Sequence, residues 1–209
     1  MIVSLINSKG GVGKSTLAVH LTAWWQRQGR RVALVDADTQ GSSSTWLREA
    51  ASDIPVLRLQ SADEILDEVP GLHQEYEHLV VDGPAGLAEI SRAILLVTDW
   101  ALLPCGPSVL DLRAATEAVR VVMQARQIRQ GPPRATLVPN KLQLQHRLSR
   151  ELLAALGELP VDSAGGLSLR QAYADAAGQG ALVWELGSRG RVATRELMGV
   201  LHGLIGQGT

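Results

Sequence analysis

Cysteine is nearly missing from this sequence: Cys105 stands alone among 209 residues. One cysteine cannot close a disulfide within the chain or build a multi-cysteine metal or iron–sulfur site, and this fits a reducing compartment. Long apolar runs are missing as well, since no stretch approaches the roughly 20 apolar residues that a bilayer crossing needs. The chain opens directly on the apolar run Ile2 to Ile6 with no basic segment before it, so neither secretion nor a transmembrane anchor is expected. No charge of one sign prevails either: the formal net charge is −1, which by itself advertises neither nucleic acid nor membrane as a partner. Lysine is scarce. Seventeen of the 20 basic residues are Arg, and of the three lysines Lys9, Lys14 and Lys141, two fall in one loop.

A hydrophobic content of 45% over 209 residues allows one sizeable core, and a single domain over residues 1–209 is expected. Charge is unevenly spread along it. Residues 1–125 carry 10 basic and 15 acidic side chains, whereas residues 126–209 carry 10 basic and 6 acidic, so the last third is net positive by four.

Short β-branched or Leu-rich runs recur at Ile2–Ile6, Arg31–Val35, Val56–Leu59, His78–Val81, Trp100–Pro104 and Ala135–Pro139. Helical stretches lie between them at Ser15 to Gln28, Ala114 to Gln127 and His146 to Leu156, with loop punctuation at Gly131-Pro132-Pro133 and Gly165-Gly166. Several strand runs are apolar throughout rather than alternating, as strands covered by helices on both faces are. The pattern predicts an α/β fold, a doubly wound and mostly parallel sheet flanked by helices.

Between the first strand and the first helix lies Asn7-Ser8-Lys9-Gly10-Gly11-Val12-Gly13-Lys14-Ser15-Thr16. Glycines in that position let successive backbone N–H groups turn inward on a polyphosphate, and the helix N-terminus adds its positive dipole end. Lys14 is placed to reach the β/γ oxygens, Ser15 to offer its hydroxyl to Mg²⁺, and Thr16 to approach the α-phosphate. ATP or GTP binding follows. The usual spacing asks for glycine at position 8; Ser8 stands there, followed by the second lysine.

Two acidic motifs follow. Asp36-Ala37-Asp38-Thr39-Gln40-Gly41-Ser42 comes after the second strand, at the carboxyl end where ligands collect in open α/β sheets. Asp38 could also serve only as the cap of a helix beginning near Ser42. Leu79-Val80-Val81-Asp82-Gly83-Pro84 is an apolar strand ending in a carboxylate, the form of a Walker B element that holds Mg²⁺ through water.

The run Lys-Gly-Gly-x-Gly-Lys-Ser at residues 9–15 resembles the deviant Walker A box of the ParA/MinD family of P-loop ATPases, and the resemblance extends from Ile2 to about Leu204. It implies that Lys9 reaches across a dimer interface to the nucleotide of the other subunit, where two lysines neutralise one triphosphate. Asp38 is then the residue that orients the attacking water, and Asp36 and Asp38, like Asp82, support the Mg²⁺ shell through water. Thr39 stands where that family commonly has Pro. Leu103 to Asp111 resembles the family's Pro-x-x-Pro-Ser segment, in which Cys105 is a packed small residue. Pro139-Asn140-Lys141 resembles the strand end whose Asn recognises adenine.

The size of the chain looks most like the short ParA proteins. That resemblance implies a slow ATPase that forms an ATP-dependent homodimer, binds DNA nonspecifically, and is stimulated by a ParB-like or other adaptor, so that a plasmid, chromosomal locus, carboxysome or other assembly is positioned. The implied location is cytoplasmic and nucleoid-associated. Arg147, Arg150, Arg170, Arg189, Arg191 and Arg195 form the candidate DNA surface, because phosphate contacts need charge rather than base-reading geometry. A MinD-like protein would need a basic amphipathic C-terminal helix. The tail Glu196 to Ile205 has no Lys or Arg after Arg195, so it reads as a helix packed on the core, without membrane binding. A metabolic enzyme or metal carrier on the same fold would need a substrate pocket or paired cysteines.

Overall fold

The computed structural model describes residues 1–86 and 89–206. Strands β1 (Ile2–Asn7), β2 (Val32–Asp36), β3 (Val56–Arg58), β4 (His78–Ala85), β5 (Trp100–Cys105), β6 (Arg134–Pro139) and β7 (Asp162–Ser163) form one sheet in the order β3-β2-β4-β1-β5-β6-β7. Every pairing in it is parallel, so the carboxyl ends of all these strands open on one edge. Helices α1 (Lys14–Arg27), α2 (Ser42–Ala50), α3 (Ala62–Glu75), α4 (Glu89–Val97), α5 (Val109–Arg129), α6 (Arg147–Leu156), α7 (Gln171–Gly178) and α8 (Arg191–Gly206) cover both faces, with a short 3-10 turn at Val183–Glu185.

The unbroken apolar strands have the reason expected of them. In β2, Val32 and Leu34 point into one core with α1, α2, α7 and α8, while Ala33 and Val35 point into a second core with α3 to α6. Residues Leu79 and Val81 of β4 and Ala101 and Leu103 of β5 join the second core, and Val80 and Leu102 the first. The period-2 geometry of a strand thus sorts an all-apolar run into two buried layers.

Some boundaries differ from expectation. Helix α5 begins five residues earlier than its apolar spacing suggests, because the Ser108 hydroxyl accepts from the Asp111 backbone N–H and caps it. Helix α8 turns Ala193, Leu197, Val200, Leu201 and Leu204 into the core, so its apolar face is spent on packing. Among the described residues, no helix is long and apolar enough to cross a membrane.

Candidate functional site

Strand β1 delivers the chain into the glycine loop at the centre of the carboxyl edge. Asn7, fully buried, fastens that loop on both sides: its Nδ2 donates to the Pro104 carbonyl at 2.7 Å, and its Oδ1 accepts from the Lys9 N–H at 2.9 Å. Gly10, Gly11 and Val12 form the turn, and Gly13 takes a left-handed conformation, φ 102°, immediately before α1. A Cβ at Gly13 would collide with Nδ2 of Asn140, so that position admits glycine alone on two grounds. No side chain caps the N-terminus of α1, and the first-turn donors there are left for an anion.

Lys14, Ser15 and Thr16 start α1. Lys14 is buried, and its Nζ donates to the Lys9 carbonyl at 3.1 Å, folding the side chain back over the loop. Burial lowers its pKa, and the charges of Asp82 and then Asp38 hold it up. An ammonium so placed gains from a polyphosphate that restores opposite charge. Lys9 points another way: its Nζ lies 2.6 Å from Oδ1 of Asp111, at the start of α5, and 3.5 Å from the Ser108 hydroxyl.

Across the sheet, Arg58, Asp36 and Asp82 occupy one register row on β3, β2 and β4. Both carboxylates are fully buried, yet their surroundings differ. Asp36 accepts from the Asp38 N–H at 3.0 Å and from the Ser44 N–H at 2.8 Å, so Asp36 and not Asp38 caps the first turn of α2. Asp38, half-buried, uses Oδ1 to accept from the Gln40 N–H and belongs to the loop rather than the helix. The Arg58 guanidinium donates to the Thr39 carbonyl at 3.1 Å and braces this loop from outside, where a proline would otherwise stiffen it.

Neither oxygen of Asp82 has a hydrogen-bond partner, and neither has the buried Ser43 hydroxyl. Burial pushes the Asp82 pKa up to about 7; the nearby Ser15 and Ser43 hydroxyls pull it down without reaching ordinary hydrogen-bond geometry, Asp36 adds to the rise, and Lys14 opposes it. Gly83 follows, and a Cβ there would come within 2.8 Å of the Leu5 carbonyl, which is how β4 approaches the loop-bearing strand so closely. A hard cation fits beside two unpartnered carboxylate oxygens and the Ser15 hydroxyl. Among the described residues no group of three or more His, Cys, Asp or Glu makes a cation cage, so such an ion would need phosphate oxygens and water to complete its shell.

At the end of β6, Asn140 donates to the Val12 carbonyl at 2.7 Å and accepts from the Lys141 N–H at 2.8 Å. Its amide is first a strut between β6 and the glycine loop. Lys141 follows with φ 57°, an uncommon conformation for a residue with a side chain. Both line a cleft of about 390 Å³ with Gly13, Thr16, Trp46 and Tyr173. The aromatic walls carry no motif, and only their placement in the fold identifies them.

The six arginines do not form one surface of free charge. Arg170 is held in a two-pronged pair with Glu196, at 2.9 and 2.6 Å, which also holds the Glu196 carboxyl below the usual carboxylate range. Arg147 pairs with Glu151 one turn on at 3.1 Å. Arg150, Arg189, Arg191 and Arg195 are exposed, the last three around the start of α8. Cys105 is buried beneath the sheet edge, where burial pushes its thiol up to about 12, so it packs and does not react.

The model of the CobQ/CobB/MinD/ParA nucleotide binding domain matches residues 3–183. Maintenance of carboxysome distribution protein A of Halothiobacillus neapolitanus is 31% identical to this chain, over 97% of this chain and 95% of that protein. The chromosome-partitioning ATPase Soj of Thermus thermophilus is 25% identical, over 75% of this chain and 77% of its own length. A Cyanothece McdA in complex with ATP superposes with a TM-score of 0.82 at 17% identity, covering 97% of this chain and 95% of that one, and so shares the fold.

Proposed function

The chain belongs to the CobQ/CobB/MinD/ParA nucleotide-binding family, and from that premise we propose that it is a ParA-type ATPase that dimerises around ATP and Mg²⁺ and positions a cellular cargo. The observation that carries the reading is the meeting of Lys14, Asp36, Asp38 and the unpartnered Asp82 on one sheet edge, beside a helix N-terminus left uncapped. The likeness to a carboxysome distribution protein along nearly the whole chain supports a protein microcompartment as the cargo, ahead of a plasmid or chromosomal locus.

In this reading the N–H groups of Gly10 to Thr16 wrap the phosphates and Lys14 binds the β and γ oxygens. Ser15 and Asp82 would hold Mg²⁺, which would offset the charge of the phosphates. Asp38 orients the attacking water, held in place by Asp36 beneath it. Asn140 and Lys141 flank the adenine in the cleft. Lys9 leaves Asp111 and reaches the nucleotide of a second copy, adding positive charge as the transferred group separates. The domain acts as one unit over residues 1–209, in the cytoplasm and on the nucleoid, with hydrolysis triggered by an adaptor bound to the cargo. Exposed Arg150, Arg189, Arg191 and Arg195 are the DNA-binding candidates.

Sedimentation with and without Mg·ATP tests the reading. A monomer that becomes a dimer only with ATP is expected, together with DNA retention of that dimer at low salt. A chain that stays monomeric at saturating ATP would refute it.

A further inference from the structure

The base-side cleft has a lip, Leu167 to Arg170, made of loop rather than helix or strand. Its inner end is zipped to β6 and the residues after it: Leu167 donates to the Pro139 carbonyl at 2.9 Å, Leu142 to Leu167 at 3.0 Å, and Leu169 to Leu142 at 2.9 Å. Its outer end is gripped by one carboxylate. Glu196 of α8 accepts from the Ser168 hydroxyl at 3.0 Å, from the Ser168 N–H at 3.3 Å, and from Arg170 Nε and Nη2 at 2.9 and 2.6 Å.

Docking α8 does not need this grip, because five of its apolar side chains are already buried in the core. What the four hydrogen bonds fix is the lip. A planar guanidinium engaged by both prongs is also withdrawn from any phosphate outside, and the pair is mostly covered, with side-chain exposures of 34% and 23%.

We propose that Glu196, acting through Ser168 and Arg170, is a positioning residue that holds the cleft lip in the shape that receives the nucleoside end of the nucleotide. Arg170 therefore serves nucleotide affinity and not DNA. The proposal rests on the reading of the cleft as the nucleoside site, and it separates two parts of one ligand: the glycine loop binds phosphates with or without the clasp, whereas the base and ribose depend on it.

The test compares the full chain with Glu196→Ala, Glu196→Gln, Arg170→Ala and the double alanine variant. ATP and inorganic tripolyphosphate compete against a fluorescent ATP analogue in the presence of Mg²⁺, and steady-state hydrolysis is measured alongside. Expected are an ATP affinity about tenfold weaker and a KM raised to match, with kcat at saturation and tripolyphosphate affinity unchanged. The double variant should be no worse than either single one, since both break the same clasp. Glu196→Gln, which keeps an acceptor for Ser168, should lie between. ATP affinity equal to that of the unmodified chain would overturn the proposal, as would a parallel loss for tripolyphosphate. Loss of DNA retention by Arg170→Ala at unaltered ATP affinity would return that residue to the DNA surface and likewise overturn it. Failure of the unmodified chain to bind ATP would sink the nucleotide reading itself.

Discussion

Asp36 and Asp82 are register partners on adjacent strands, equally buried, and only Asp36 is hydrogen-bonded. Asp36 spends its two oxygens on backbone N–H groups and becomes part of the scaffold under Asp38. Asp82 is left with both oxygens unpartnered, and desolvation outweighs the opposing influence of Ser15, Ser43 and Lys14. A fold that satisfies one of two neighbouring carboxylates and not the other keeps the second for a ligand.

That difference has a pH signature in the ligand-free protein. With a folded pKa of about 7 against an ordinary value of 3.8, the folded state binds the Asp82 proton more tightly than the unfolded state does. The stability this confers is present at low pH and is lost as pH rises from about 4 to about 7, at up to ~1.4 kcal/mol per pH unit. His20 runs opposite: burial lowers its pKa to about 4, so its contribution grows with pH between about 4 and 6.5. Asp82→Asn removes only the first trend. Denaturant unfolding at pH 5 and pH 7 should show the variant gaining stability over the unmodified protein as pH rises. A pH-independent difference would mean that Asp82 is not the buried acid described.

Lys14 and Asp38 should separate binding from turnover. Lys14→Ala should abolish ATP binding, measured by calorimetry. Asp38→Ala should retain ATP, hold the dimer, and hydrolyse about 100-fold more slowly, the scale of a lost water-orienting group. Hydrolysis by Asp38→Ala at the unmodified rate would remove the role assigned to that carboxylate.

Lys9 must give up Asp111 before it can reach another chain. The pair is partly exposed, with Lys9 at 38% and Asp111 at 12%, so it is worth about 1 kcal/mol or less. Asp111→Asn should therefore lower the ATP concentration needed for dimerisation by a few-fold, read by light scattering, while Lys9→Ala should lose the ATP-dependent dimer. An unchanged dimer in Lys9→Ala would rule out contact across the interface.

Arg189→Ala/Arg191→Ala should weaken DNA retention by the ATP-bound form and flatten its dependence on salt, because each phosphate contact contributes to the slope. Arg147→Ala should matter little, since Glu151 already neutralises Arg147 on a solvated helix face. Equal retention by the double variant in filter-binding titrations would move the DNA surface elsewhere.

The sequence made the sheet and the phosphate loop legible because both depend on local signals: apolar runs of strand length and glycines at fixed offsets. Strand β7 escaped that reading, having only Asp162 and Ser163, both exposed. Helix α3 could have been found, since Ser61 and Glu64 form a capping box that stands in the sequence as Ser-x-x-Glu. Other features were beyond local reading. Asn140 finds Val12 across 128 positions, and Arg170 finds Glu196 across 26, so the first looked only like a base reader and the second like a free cation. The cap of α2, open to Asp38 on sequence alone, falls to Asp36, because the helix starts where the buried carboxylate can reach its third N–H.

Trp46 stands in the wall of the cleft, 8% exposed, with its indole N–H fixed on the Ala181 carbonyl at 2.8 Å. Trp24, Trp25, Trp100 and Trp184 do not line that cleft, although Trp184 neighbours Trp46 through His20, whose ring lies 5.3 Å from each. Trp46 and Tyr173 thus report from the cleft itself, so its filling should change the native emission of unlabelled protein and can be followed optically.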